Sequence, residues 1–193
     1  MGITERRARE REQRRADILE AAWAVATELG WASFSVERAA ARAELGRATV
    51  YGYFESLDAL VAAMSEQALS ELSARVADAP SLVEALDAPL RYSQASPAGF
   101  ALLFQSPAVD ARAAFSNPRL DEVRREARKI VGALRRRVSR NRATLPEDAA
   151  AAEAFLTGIA LAGATIPELR TNTPLRRRWQ DFCLTPPADE EKG

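Results

Sequence analysis

Two short amphipathic helical patterns follow one another between Phe34 and Phe54, in FSVERAAARAELGRATVYGYF. About four residues separate them, so they must cross at a tight turn. Ser35 suits the N-cap of the first, and Glu37 falls in its first turn, where the helix dipole favours an anion. Val36, Ala39, Ala40 and Ala43 give that helix a face of small side chains, which lets another helix approach closely. Gly46 can cap the second helix, which turns Val50 and Phe54 inward. Two helices this short cannot bury an apolar face alone. They need a third, and the pattern is that of a helix-turn-helix: one helix braces while the next is presented outward.

The third helix precedes them. Ile18, Leu19, Ala22, Val25, Ala26 and Leu29 recur at helical spacing, and Gly30 stands where a glycine ends a helix. Before Ala16, the Arg/Glu-rich residues 5–16 predict a frayed helical extension or mobile arm. After Phe54, Ser56 with Leu57 and Asp58 starts a longer helix that carries Leu60, Val61, Met64, Ala68, Leu72 and Val76 and ends near Asp78–Pro80. Proline breaks then set off further helices. These are predicted at Ser81–Ser96, at PAGFALLFQ from Pro97, from Pro118 to about Arg140, from Pro146 to about Ile166, and at Pro174–Leu184. Strand-favouring residues never alternate for long. The expected fold is all-α: an N-terminal arm and three-helix domain over 1–56, a larger helical domain over 57–184, and a polar tail over 185–193.

Composition narrows the chemistry. The 193 residues include no histidine and one cysteine, Cys183. No Cys/His zinc site, disulfide framework or histidine-based catalysis is available, and no cofactor or metal is expected. No apolar run nears the ~18 residues of a membrane span, and the Arg-rich N-terminus lacks the apolar core of a signal peptide. A reducing, cytoplasmic setting is the expectation. The net charge of zero hides a pattern. Residues 1–56 hold nine arginines and nine acidic residues, 57–118 are net −4, 119–142 are net +7, and the rest is net −3.

These residues resemble a known family. A helix, then S-V-x-x-x-A-x-x-A, a four-residue turn, T-V-Y-x-Y-F and S-x-D-A-L, is similar to the N-terminal domain of the tetracycline-repressor (TetR) family. The match runs from Ala16 to about Met64, roughly a quarter of the chain. The resemblance implies a dimer that binds a pseudopalindromic operator in double-stranded DNA, usually as a repressor, and releases it when a small molecule enters the C-terminal domain. By position, Ser35 would meet a phosphate. Arg47, Ala48, Thr49, Tyr51 and Gly52 would line the recognition helix, and Tyr53 would reach the DNA backbone. FLTGIALAG at 155–163 looks like the family's dimer-forming helix, where Gly158 and Gly163 would permit close backbone approach. Two departures stand out. Leu57 occupies a position where many members have a phosphate-binding lysine, and Glu44 stands in the turn where glycine is common.

The chemistry of the residues supports part of this. An arginine at the start of a recognition helix can bond a guanine edge bidentately, for about 1–3 kcal/mol of discrimination. Hydroxyls such as those of Thr49, Tyr51 and Tyr53 suit phosphates, which fix register. Arg47 as a solvated surface residue and Tyr51 as a packing residue remain the plain alternatives, and Arg38 and Arg42 read as an exposed face. In the larger domain Phe100, Leu103, Phe104 and Phe115 are candidates to line an apolar effector pocket, with Tyr92 and Arg91 as polar anchors. The Arg-rich helix 119–142 reads as a solvated core helix around a clean apolar stripe, its charge offset by the acidic 57–118 region. Two function classes follow. One is a ligand-responsive DNA-binding regulator, released from DNA by a small apolar molecule. The other is a helical dimeric sensor or interaction protein with weak or lost DNA binding, for which Leu57, Gly52 and the neutral N-terminal third speak. An enzyme is the weakest reading, since no nucleophile–base pair stands out.

Overall fold

The computed structural model describes residues 2–104, 115, 118–142 and 174. The described helices are α1 (Ile3–Leu29), α2 (Val36–Arg42), α3 (Arg47–Tyr51), α4 (Leu57–Ala77), α5 (Leu82–Ala95), α6 (Pro97–Phe104) and α7 (Pro118–Arg142), with a single 3₁₀ turn at Trp31–Ser33. The architecture is all-helical, as the sequence predicts. The expected helix from Pro146, the one at Pro174–Leu184 beyond its first residue, the 155–163 segment and Cys183 lie outside the described residues.

The chain divides into two compact units, one comprising 1–67 with 105–123 and the other 68–104 with 124–193. In the first unit, α1 packs on α2 and buries Ile18, Leu19, Ala22, Val25 and Ala26; Val36, Ala39 and Ala40 of α2, Val50 of α3, and Leu60, Val61 and Met64 of α4 are buried in the same unit. The helix ends are fixed locally. Gly30 has φ +72°, a value that costs glycine little and other residues more, and its N–H donates to the Ala26 carbonyl at 3.1 Å. Ser35 Oγ accepts from the Arg38 N–H at 3.4 Å, and Ser56 Oγ from the Ala59 N–H at 3.0 Å.

Three points sharpen or correct the sequence reading. Of the two forms expected for residues 5–16, the structure has the helical one: they are the first turns of α1, continuous with its core-forming half. The Glu5 carboxylate reaches back to accept from the Gly2 N–H at 3.2 Å. Arg6 pairs with Glu10 at 3.4 Å, and Gln13 Nε2 donates to Asp17 at 2.9 Å. Such (i, i+4) pairs support a helix that has no apolar face. Leu29, in register with the core stripe, is 51% exposed, because α1 stops beside it. The third point is an aromatic cluster. The Trp31 ring meets Trp23 at 6.0 Å, Phe34 at 5.2 Å and Phe115 at 5.7 Å, all edge to face. Trp23 Nε1 also donates to Gln67 Oε1 at 2.8 Å, which ties α1 to α4.

In the second unit α5 and α6 pack together around Tyr92, Phe100 and Leu103, with Leu72 of α4 and Ala127 and Leu134 of α7 also buried. Pro89 inside α5 removes one helical N–H. Arg124, itself buried, donates from Nε to the Leu102 carbonyl at 3.1 Å. The apolar stripe expected on α7 is present in Leu120, Val123, Ala127 and Leu134. In the first unit, Arg119 at its start pairs with Glu66 at 2.6 Å and Glu122 at 2.8 Å, which raises the pKa of its guanidinium.

Candidate nucleic-acid interface

Helix α3 has five residues and one anchor. Val50 is 1% exposed, and around it Arg47, Ala48, Thr49, Tyr51 and the following Gly52 all face solvent. So short a helix is held by its ends. Gly46 starts it, with its carbonyl accepting from the Thr49 N–H at 3.0 Å, and the Val50 carbonyl accepts from Phe54 N–H at 2.9 Å. Phe54 is buried and closes the far side. The turn before it runs through Glu44 at φ +56°. The backbone here therefore takes the left-handed form that glycine would adopt at less cost.

The predicted contact residues share this surface with differing freedom. Tyr51 is 39% exposed, so part of its ring is open to solvent. Tyr53 is half-buried, and the Arg11 guanidinium lies 5.4 Å from its ring centre. Arg15 stands over Phe54 in the same way at 5.0 Å. Arg47, 60% exposed in its side chain, is not free: its Nε meets Glu37 Oε1 at 3.1 Å. Glu37 is held below the ordinary carboxylate range, first by its own backbone N–H, then by the Ser35 hydroxyl, then by the charge of Arg47. One carboxylate thus occupies the residue expected at a base edge. Arg42 is likewise tied to Glu28 at 2.9 Å, and Arg38 donates to the Ser33 carbonyl. The Glu37 and Glu28 pairs each cross between elements, and complementary charge is their one trace in the sequence. Leu57 is half-buried at the first turn of α4 and brings no cation.

The candidate effector residues fall in both units. Tyr92, Phe100, Leu103 and Phe104 belong to the second, where Phe100 and Phe104 stack at 4.6 Å. Phe115 belongs to the first and packs on Trp31 and Phe34. Tyr92 is 0% exposed, and its hydroxyl has no hydrogen-bond partner among the described residues. Burial pushes its pKa up to about 12, against small opposing effects of the Ser96 hydroxyl and Arg75. Ser96 is near enough to favour the phenolate slightly, but its geometry is not that of a hydrogen bond. The lack of a side chain at Gly99 makes the room, since a Cβ there would collide with the Tyr92 hydroxyl and come within 2.6 Å of Ser96 Oγ. Arg91 lies outside this apolar cluster. It pairs with the buried Asp87 at 2.7 Å and borders an open groove of about 180 Å³ beside Arg75 and Glu84. Among the described residues no group of His, Cys, Asp and Glu is placed to hold a metal ion, and no helix is long and apolar enough to cross a membrane.

Comparison with known proteins bears on this geometry. Residues 18–64 match the family model of bacterial regulatory proteins of the tetR family, a span that begins at the first buried residue of α1 and ends in α4. No curated protein matches the chain. Among solved structures, the multidrug binding protein EbrR, complexed with imidazole, is 24% identical over 91% of this chain and 97% of its own, with a TM-score of 0.61. The TetR family transcriptional regulator PfmR from Thermus thermophilus is 20% identical over 89% and 98%, with a TM-score of 0.60. The transcriptional regulator FadR from Bacillus subtilis, in complex with stearoyl-CoA, is 15% identical over 88% and 97%, at 0.58. At these identities the likeness is one of fold. The family model rests on the helices that present α3: residues 18–64 form the helix-turn-helix domain of bacterial regulatory proteins of the tetR family.

Proposed function

We propose that the protein is a ligand-responsive regulator that acts as a homodimer on a pseudopalindromic operator, as a repressor released by a small apolar molecule. The observation that carries this reading is the outward face of α3, with Arg47, Thr49 and Tyr51 exposed about the buried Val50. Arg47 would contact base edges in the major groove. Ser35, Thr49, Tyr51 and Tyr53 would place hydroxyls on phosphates, and Ala48 and Gly52 would let the helix sit close. The two heads of a dimer would address half-sites about one helical turn (~34 Å) apart.

Effector binding is supported by the buried apolar set Tyr92, Phe100 and Leu103, with Phe104 beside it and one unpartnered hydroxyl that could orient a ligand. Phe115, packed on Trp31, is left out of that set. Two fold neighbours, EbrR and FadR, are complexes with imidazole and stearoyl-CoA. Release requires that the effector bind better to the conformer whose heads are mis-spaced, since only differential affinity shifts an equilibrium. The test is fluorescence polarisation against DNA flanking the protein's own gene. Salt-sensitive, site-specific binding is expected, and its absence at low ionic strength would remove the proposal.

A second reading, a dimeric sensor with weak DNA binding, is favoured by the Glu37–Arg47 pair at 3.1 Å, which occupies the one cation of α3. It predicts no site preference even at low salt.

A further inference from the structure

The face of α1 that builds the core in its second half becomes an arginine stripe in its first. At 100° per residue, Ile18, Ala22 and Val25 share one side of the helix. Steps of four and three residues toward the N-terminus along that side give Arg14, Arg11 and Arg7, with Arg15 at its edge. The carboxylates of the same segment, Glu5, Glu10, Glu12 and Asp17, sit on the flanks and the opposite side together with Arg6 and Arg9. The charge is therefore sorted by face, although the segment as a whole is nearly balanced. No carboxylate pairs with Arg7 or Arg11 among the described residues. Arg14–Asp17 and Arg15–Glu12 are long exposed contacts of 3.9 Å, and such pairs contribute little. The stripe adjoins the candidate interface, because Arg11 lies over Tyr53 and Arg15 over Phe54, immediately after α3.

We propose that the Arg7–Arg11–Arg14 face of α1 is a second, sequence-independent DNA contact that holds phosphates flanking the site met by α3. This rests on the DNA-binding reading above and locates its missing cations. Helix α3 supplies one arginine, which Glu37 occupies, and Leu57 supplies none. Polyanionic DNA matches a stripe of like charge on a preformed helix. From Arg7 to Arg14 the stripe spans about 10 Å of axis at 1.5 Å per residue, roughly three phosphate rises on one strand. Because the helix is already formed and its outer side is paired, little ordering entropy opposes binding.

The test uses the full chain, a 30-base-pair duplex of mixed sequence, and anisotropy titrations between 50 and 200 mM salt. Arg7→Gln/Arg11→Gln removes two charges from the stripe. Arg6→Gln/Arg9→Gln removes two from the other side. The first pair is expected to weaken binding about tenfold or more and to reduce the slope of log K against log salt by about 1.8, at 0.9 per lost phosphate contact. The second pair is expected to change the slope by less than half a unit, with both variants keeping wild-type helicity by circular dichroism. Equal effects from the two pairs, or an unchanged slope for the first, would overturn the arm while leaving α3 in place. If the unaltered chain bound no duplex at any salt, the DNA reading would fail and the arm with it.

Discussion

The two units treat their polar groups in opposite ways. In the first, α3 turns nearly everything outward: a lone buried Val50 carries exposed Arg47, Thr49 and Tyr51. In the second, α5 takes a tyrosine fully inside, hydroxyl included, and leaves that hydroxyl without a partner among the described residues. A surface that meets a polyanion must keep its donors in water until the partner arrives. A site for an apolar ligand must hold its few polar groups in the dark, where one unmet hydrogen bond discriminates strongly. On the proposed function, the contrast separates a DNA-facing unit from an effector-facing unit within one chain.

The most damaging change should be at the anchor. Val50→Asp would place a charge where the side chain is 1% exposed, at a cost of more than about 3 kcal/mol. The midpoint of thermal unfolding should fall sharply for the first unit, and site-specific DNA binding should vanish. Binding intact in a folded Val50→Asp variant would mean that α3 is not what the anchor presents.

Next comes the buried hydroxyl. Tyr92→Phe removes an unsatisfied group and should stabilise the unliganded protein by about 1–2 kcal/mol in urea unfolding, while weakening any effector that uses the hydroxyl. Its pH signature has a definite sign. The pKa is raised from 10.0 to about 12, so the neutral phenol's contribution is complete below pH 10 and is lost as pH rises from there toward 12. The stability of the wild type should fall over that window relative to Tyr92→Phe, by about 2 kcal/mol at most. Parallel profiles would place the hydroxyl in water or in a hydrogen bond.

The exposed surface of α3 responds more gently. Glu37→Gln frees Arg47 and should tighten DNA binding about two- to fivefold, the scale of an exposed ion pair. The lowered pKa of Glu37 predicts the same direction with acid: the Arg47 contact persists above the ordinary carboxylate range and is lost as pH falls through the depressed value. Weaker binding by Glu37→Gln would make Glu37 a contact rather than a competitor. Glu44→Gly, at φ +56°, should stabilise by roughly 0.5–1 kcal/mol without changing affinity, as denaturant midpoints would record.

What the sequence disclosed follows the range of the interactions. The Ser35 and Ser56 caps, the Gly30 stop, the Gly46 start and the inward Val50 and Phe54 are local, and spacing alone reveals them. Residues 5–16 leave a helical extension and a mobile arm both open in the sequence, because a helix polar all round has no apolar period and its support comes from ion pairs such as Arg6–Glu10. The aromatic cluster joins Phe115 to Trp31 and Phe34, far earlier in the chain, which no periodicity reports. At the site, the exposed face of α3 was legible, but the Arg47–Glu37 pair across the turn was not. The residues of the second unit could be named as apolar, yet only coordinates place Phe115 in the other unit and show Tyr92 without a partner.

Whether α3 reads DNA through Arg47, as one of two symmetric heads, can be asked by selection from random duplexes, run in parallel with wild type and Arg47→Ala. The wild type is expected to enrich an inverted repeat with half-sites about one helical turn apart, and Arg47→Ala to lose preference at one matching position in each half-site. Enrichment of no motif by the wild type, or of the same motif with undiminished preference by the variant, would show that α3 does not read DNA in this way.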